Sequence, residues 1–117
     1  DRIHALKKKA GIFVAMNTPL EPVFPHLERL DAVMLLAIAV PGLSGQKFDM
    51  DALIRIRQIN ARKSRRHFSL CVDGGVNEQN VGLLNVENVV SGSSVLNNPN
   101  PIRQIMRLQT SSNYEST

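Results

Sequence analysis

The predicted fold follows from the stretch Cys-Val-Asp-Gly-Gly-Val-Asn, residues 71–77. An apolar run, residues 68–72, ends in a single carboxylate, Asp73, and two glycines follow at once. This pattern is typical of a buried strand that delivers one acid to the edge of a sheet. The two glycines allow a sharp turn with exposed N–H groups, and Asn77 is placed to cap the segment that follows.

Two further turns have the same character. Residues 41–46 (PGLSGQ) and residues 91–94 (SGSS) each follow an apolar run. Because the carboxyl ends of parallel strands meet at one edge, we expect the three turns to line one site. Asp73 is the only obvious reactive group among them.

The chain alternates predicted strands and helices, which indicates βα units. The run 32–40 shows no polar alternation, so we expect a parallel strand covered on both faces. The second helix should be irregular because it contains Pro25. The predicted strands are 12–15, 32–40, 68–72 and 86–90, and the predicted helices are 2–10, 20–30, 50–63, 78–84 and 101–108.

Four βα units after an opening helix define the α/β class. They could build an open parallel sheet or part of a (β/α)8 barrel. A whole barrel needs about 250 residues, and the chain has 117, so half a barrel is favoured. We assign residues 1–108 to this partial barrel and residues 109–117 to a flexible polar tail.

Composition excludes several classes of protein. The net charge is +4, but the cations cluster in residues 7–9 and 62–66, at predicted helix ends, where the helix dipole favours them. No aromatic residues are interleaved to stack on bases, so nucleic acid is not an expected partner. No apolar run approaches a membrane span, and no signal peptide is evident. We expect a cytoplasmic protein, in which the one cysteine, Cys71, is a small buried hydrophobe.

The turns, taken together, resemble those of the ribulose-phosphate 3-epimerase family. Residues 41–48 (PGLSGQKF) are similar to the turn after that family's sixth strand, and residues 72–77 (VDGGVN) to its seventh-strand motif. Gly92-Ser93 resembles the eighth, and residues 17–21 (NTPLE) resemble the turn after the fifth. The resemblance implies that the chain is the C-terminal half, strands 5 to 8, of a ribulose-phosphate-binding TIM (β/α)8 barrel.

The resemblance also implies a reaction, C3 epimerisation of a ketose phosphate through an enediolate in pentose phosphate metabolism. In the family, two aspartates on opposite sides of the sugar move the proton, and a divalent metal (Zn, Fe, Mn or Co) steadies the oxyanion. A weakly acidic C–H needs a positioned base, and the enediolate needs a nearby cation. By position, Asp73 corresponds to one of these acid/bases and to a metal ligand.

The glycine-rich turns are candidates for holding the phosphate. Exposed N–H groups can bind a dianion without a lysine, and barrels of this kind bind phosphate after strands 7 and 8. The alternative is that the glycines serve only to turn the backbone. The candidate residues are Gly42, Ser44, Gly45, Gln46, Gly74, Gly75, Gly92 and Ser93.

The chain departs from the family pattern in three ways. The second aspartate and the two metal-binding histidines belong to strands 2 and 4, which this chain lacks, and its own histidines are expected away from the site. Ala37 stands where the family has a methionine facing the substrate, and Met16 where it has a proline. We therefore expect an isomerase by resemblance whose isolated chain is inactive. The alternatives are a non-catalytic sugar-phosphate-binding paralogue and another phosphate-binding barrel enzyme, such as a lyase or decarboxylase.

Half a barrel leaves two strand edges and its inner face open. We therefore expect the chain to associate with itself or with a missing N-terminal half. Its other expected partner is a small sugar phosphate; neither nucleic acid nor a membrane is expected.

Overall fold

Four strands form one parallel sheet in the computed structural model, which describes residues 2–43 and 45–112. They are β1 (Gly11–Val14), β2 (Ala32–Leu36), β3 (Ser69–Asp73) and β4 (Asn88–Val90), and their order across the sheet is their order in the chain. Barrels add strands consecutively, whereas doubly wound sheets reverse direction at a switch point. The consecutive order confirms the α/β class with parallel βα units and agrees with a barrel segment.

The sheet has one covered face and one open face. On the covered face, Val33 pairs with Leu70 and Leu35 with Val72, and all four are buried. On the open face, Phe13, which pairs with Met34, is 52% exposed.

The expectation that residues 32–40 are covered on both faces is met only toward the carboxyl end of the strand. The strand ends at Leu36, which lies on the same face as Met34 and is buried, whereas Ala32 on that face is exposed. Met34, which pairs with Cys71 on the open face, is only partly buried.

Helix α2 (Asp51–Asn60) closes the core over the covered face. Ile56 and Ile59 from the predicted apolar stripe are buried, and Leu53 packs against the core from its margin. Leu27, Leu84 and Leu108 complete the core from three other segments. The aliphatic core that the composition implied is therefore assembled from the whole length of the chain.

Several helices differ in length from the sequence prediction. Helix α1 spans only Arg2–Ala5, because Lys7 adopts a left-handed conformation (φ 59°) that breaks it. The segments predicted as helices 20–30 and 78–84 contain only short 3₁₀ helices, Phe24–Arg29 and Val81–Leu83. Pro25 accounts for the first, since proline cannot donate the bond a regular helix needs.

The last helices flank the third turn. Helix α3 is a single turn, Ser93–Leu96, and α4 runs from Pro101 to Ser111. Asn100 caps α4 by accepting a hydrogen bond from the Arg103 N–H. The helix enters the segment predicted to be a flexible tail, where Thr110 donates its hydroxyl proton to the Met106 carbonyl. Residues 113–117 of that tail lie outside the described residues.

Two residues of the basic cluster 62–66 make contacts with other segments of the chain. The Arg62 guanidinium lies 4.2 Å from the centroid of the Phe24 ring. Arg65 forms a two-pronged ion pair with Glu87 and donates to the Asn60 side chain and the Phe68 carbonyl. The Arg65 contacts join the end of α2 to the residues just before β3 and β4, at the end of the sheet opposite Asp73. In the described chain, no helix is long and apolar enough to cross a bilayer.

Glu87 links stability to pH. Burial disfavours its charge, but the hydrogen bonds and charge of Arg65 outweigh burial and hold the pKa of Glu87 below its ordinary value of 4.5. A carboxylate with a lowered pKa stabilises the fold above that value and loses its contribution as the pH falls further.

We predict that Glu87→Gln lowers the free energy of unfolding at pH 7 by about 2 kcal/mol, because it leaves Arg65 without its charged partner. It should also flatten the loss of stability below pH 4.5. Urea unfolding at several pH values measures both effects. Glu78→Gln is the control, because Glu78 meets Arg107 only at 4.0 Å on the surface. Equal losses in the two variants would contradict this account.

Candidate functional site

The three predicted turns meet at the carboxyl end of the sheet, where they line an open cleft of about 620 Å³. Gln46 comes from the turn after β2, Gly75 from the turn after β3, and Ser93 from α3. The fold thus brings three of the predicted site residues together. The cleft also contains Lys47, Asn77, Ser94 and Asn97.

The turn after β3 packs directly on the backbone of the turn after β2. Gly75 has φ 66°, and a Cβ there would lie 2.3 Å from the Phe48 amide nitrogen. Gly74 has φ 116°, and a Cβ there would lie 2.8 Å from the Ile38 side chain. Both glycines are therefore required by close approach as well as by conformation, and this contact fixes one wall of the cleft.

The turn after β2 is held by one side chain. The Gln46 amide donates to the Val40 and Leu43 carbonyls, both at 2.6 Å, and accepts from the Val40 N–H at 3.0 Å. Gly42 and Gly45 both have positive φ and open space beside them. Gln46 borders the cleft, but its amide is occupied with the loop. Ser44 lies outside the described residues.

Two asparagines hold the turn after β3. The Asn77 side chain accepts from the Gln79 and Asn80 N–H groups, as the predicted capping role requires. The Asn80 side chain accepts from the Asn77 N–H and donates to the Gly75 carbonyl at 2.9 Å. Asn80 is itself buried. This network fixes the position of Gly75.

The third wall is made by α3 and supported from α4. Gly92 precedes α3 and, like Ser93, is exposed. The buried Gln104 side chain donates to the Ser94 hydroxyl oxygen at 2.9 Å. Ser94 can then turn its own proton toward a group in the cleft. The turn motifs of the sequence do not include Gln104, because it lies on a separate helix, α4.

Lys47 is a cleft residue that sequence reasoning passed over. It is exposed, and it directly follows Gln46 within the residue 41–48 motif. Backbone N–H groups can bind a dianion without a lysine, so the glycine-rich motif alone does not select Lys47. The position of Lys47, immediately after the glycine-rich turn, was the available signal.

Asp73 lies at the end of β3 on the open face of the sheet and is partly buried. It pairs in register with Leu36 and Val90, and its carbonyl accepts from the Ala37 N–H at 2.7 Å. Burial and, secondarily, the Asp73 charge raise the pKa of the Cys71 thiol. Asp73 is not a lining residue of the cleft; Gly75, two residues further on, is. In the chain, Gly74 therefore separates Asp73 from Gly75, where the lining of the cleft begins.

The turn after β1 stands apart from this cleft. The Arg55 guanidinium donates to the Ala15, Met16 and Thr18 carbonyls at 3.2, 2.7 and 2.8 Å, so that α2 holds the turn. Burial lowers the pKa of Arg55, and the Glu21 charge opposes this. Arg55 on α2 thus holds the segment 17–21 that resembles a family motif, although Arg55 is not part of that motif.

Metal ligands are few in the described part of the chain, which has no group of three or more His, Cys, Asp or Glu side chains placed to hold an ion. His4 pairs with Asp31 at 2.8 Å, and His26 bonds to Arg29. Asp73 would therefore be a single ligand, and the residues present do not by themselves fit a metal site.

Comparisons with known proteins agree with the resemblance of the turns. Residues 1–96 match the model of the ribulose-phosphate 3 epimerase family. The ribulose-phosphate 3-epimerase of Mycobacterium tuberculosis is 30% identical over 112 residues, which are 92% of this chain and 48% of that protein. That of Escherichia coli is 31% identical over 96 residues (78% and 42%), and that of Bacillus subtilis 31% over 93 residues (74% and 42%). The chain spans about half the length of these relatives.

We predict that Gly75→Ala destabilises the fold by about 3 kcal/mol, because the new Cβ meets the Phe48 backbone and the residue must keep a positive φ. Gly42→Ala is the matched control. It carries the conformational cost of positive φ alone, about 1 kcal/mol, since nothing lies within 4 Å of its Cβ. Urea unfolding of the two variants gives the comparison. Equal destabilisation would mean that the contact between the turns is looser than described.

Proposed function

Because the chain belongs to the ribulose-phosphate 3-epimerase family, a family of TIM barrels of which it covers part, we propose that it supplies the phosphate-binding half of an enzyme that epimerises a ketose phosphate at C3. The observation that carries this proposal is that Asp73 ends β3 at the edge of the sheet where the following turn, at Gly75, lines a cleft that also contains Lys47, Ser93 and Ser94. An acid next to an anion site is the arrangement that proton transfer on a phosphorylated sugar requires.

The cleft has the donors that a phosphate needs. The Lys47 ammonium supplies charge, Ser93 and Ser94 supply hydroxyl protons, and the backbone around Gly75 supplies N–H groups. In the described lining of the cleft there is no carboxylate to repel a dianion. A phosphate bound here would place the sugar toward the open face of the sheet.

Asp73 is proposed to remove the proton at C3. Its carboxylate takes the proton, the C–H electron pair enters the enediolate, and the sugar becomes planar at that carbon. Inversion then needs a proton delivered to the opposite face, which the same carboxylate cannot reach. The reaction therefore needs a second acid, and the isolated chain should not complete it.

A divalent metal would stabilise the enediolate oxygen as a Lewis acid. We propose that Asp73 contributes one ligand to such an ion in the complete barrel. Since the described residues do not form a metal site by themselves, the remaining ligands would come from outside this chain.

The alternatives have less support. A non-catalytic sugar-phosphate-binding role was suggested by Ala37 in place of a methionine facing the substrate. Ala37 is completely buried in the core cluster of the sheet, so its small side chain serves packing and does not remove a group from the cleft. No feature of the site favours a lyase or decarboxylase.

We predict that inorganic phosphate binds in the cleft and that Lys47→Gln weakens it on the order of tenfold, because a direct cation is lost. Asp73→Asn should bind phosphate at least as well as the original chain, since the acid lies outside the cleft. In a complete barrel, the same Asp73→Asn change should abolish hydrogen exchange at C3. Titration followed by amide chemical shifts measures binding and locates it.

Lys63→Gln is the control for a non-specific effect of net charge, because Lys63 is exposed and follows α2, away from the cleft. Equal weakening by Lys47→Gln and Lys63→Gln would refute the phosphate site. Exchange at C3 that survives in Asp73→Asn would refute the catalytic role and leave the phosphate site standing.

A further inference from the structure

The two edges of the sheet carry uncovered apolar side chains. Ile12 belongs to the covered face, because it pairs with the fully buried Val33, yet it is 36% exposed. The 3₁₀ helix Phe24–Arg29 borders this side of β1 and leaves a groove there. At the other edge, Val90 on β4 is 41% exposed. Both edge strands also present a row of main-chain groups that no other described strand pairs with.

Helix α4 has an apolar stripe that its own chain does not cover. Ile102, Ile105 and Met106 lie at i, i+3 and i+4, on one side of the helix, and are 74%, 43% and 61% exposed. The same helix buries Gln104 and Leu108 toward its own core. Ile102 and Met106 therefore lie on an exposed side of the helix, and Ile105 lies between that side and a cavity of about 560 Å³ that it lines with Val86 and Leu108.

The β1 edge has a groove of about 560 Å³ on the covered side of the sheet. Ile12, Pro19, Pro22 and Leu30 line it, so its walls are mainly apolar. Of its polar members, Thr18, His26 and Arg29, the last two bond to each other. In a barrel, the helix that follows one strand packs against that strand and the next one. The apolar stripe of α4 at the β4 edge and the apolar groove at the β1 edge therefore have the positions that a helix and its packing surface have in a closed barrel.

We propose that two copies of this chain associate edge to edge about a twofold axis, with β4 of each beside β1 of the other and the α4 stripe of each in the groove of the other. Four strands from each copy, in consecutive order, make a ring of eight. The twofold axis relates the two seams to each other, so the interface as a whole is isologous and closes after two copies.

The area available is sufficient for a stable pair. Six exposed side chains at the seams, those of Ile12, Phe13, Val90, Ile102, Ile105 and Met106, offer about 600 Å² per copy. Two copies then cover about 1,200 Å² before any backbone or polar contact is counted, which reaches the lower bound for specific interfaces.

Closure would also change the site. The β3 strands of the two copies stand four places apart in a ring of eight, which is directly across from each other. Asp73 of each copy would then face Asp73 of the second copy across the mouth of the barrel. This consequence rests on the proposed function, whereas the association itself does not.

Sedimentation equilibrium of the full 117-residue chain should give twice the chain mass of 13.0 kDa. Ile102→Glu should weaken the pair at least tenfold, since it places a charge in the seam, and a glutamate in the first turn of α4 is compatible with the helix. Ile54→Glu is the matched control. Ile54 is 54% exposed on α2, away from both edges, and its substitution should leave the pair intact.

Cross-linking tests the arrangement in a Cys71→Ser background. A short bis-maleimide should join a Phe13→Cys chain to a Val90→Cys chain, and should not join two Phe13→Cys chains, because β1 never meets β1. A monomer at about 100 µM, dissociation by Ile54→Glu alone, or β1-to-β1 links would overturn the proposal. The proposal would also be overturned if the chain did not associate with itself and formed a complex only with a fragment that holds strands 1 to 4 of a related epimerase. None of these outcomes depends on phosphate binding or epimerisation.

Discussion

The turn after β3 lies against the turn after β2 with no space for a side chain between them. Gly75 meets the Phe48 backbone there, and its neighbour Gly74 meets Ile38. This contact fixes the position of the carboxyl end of β3. It therefore determines where Asp73 and the adjoining wall of the cleft lie. The Asn77 and Asn80 side chains support the same backbone from the opposite side. The site therefore depends on a backbone packing constraint more than on any single polar group.

The same sheet has two very different faces, and this difference governs both stability and chemistry. One face is covered by α2, α4 and the 3₁₀ segments, and its aliphatic side chains are almost completely buried. The other face carries Phe13, Met34, Cys71 and Asp73 in a sheet that four strands cannot close. Burying the second face would add apolar contacts that the isolated chain lacks. It would also enclose Asp73, which a proton-transfer site requires.

Much of the fold could be predicted from the sequence because it rests on local patterns. Four apolar runs, each followed by a turn, gave the strands and their parallel arrangement, and the turn motifs gave the family. Helix lengths could not be predicted, since the exposed Lys7 adopts a left-handed conformation that no sequence signal marks, and the segment 78–84 forms only a 3₁₀ turn with Val81 buried in the core. The run 32–40 is covered on both faces only toward its carboxyl end, and the sequence could not show this, since an uninterrupted apolar pattern does not reveal whether the second cover belongs to the same chain.

The site was predictable in outline and not in detail. Asp73 ends β3, and Gly75 and Ser93 lie in the turns after β3 and β4, so position in the pattern was enough to select them. Gln46 was selected for its polarity, but its amide is taken up by its own loop. Gln104 and Arg55 act from helices distant in sequence, and no local motif contains them. Sequence patterns identify residues that point at a site more readily than residues that hold it in place.

The strand order β1-β2-β3-β4 gives the sheet one covered face and brings the three turns together. Nuclear Overhauser contacts between strands in the isotopically labelled chain test this order. Backbone protons of Met34 should contact those of both Phe13 and Cys71, with which Met34 pairs in register. Direct contacts between Phe13 and Cys71, with Met34 at an edge, would indicate a doubly wound sheet and contradict this strand order.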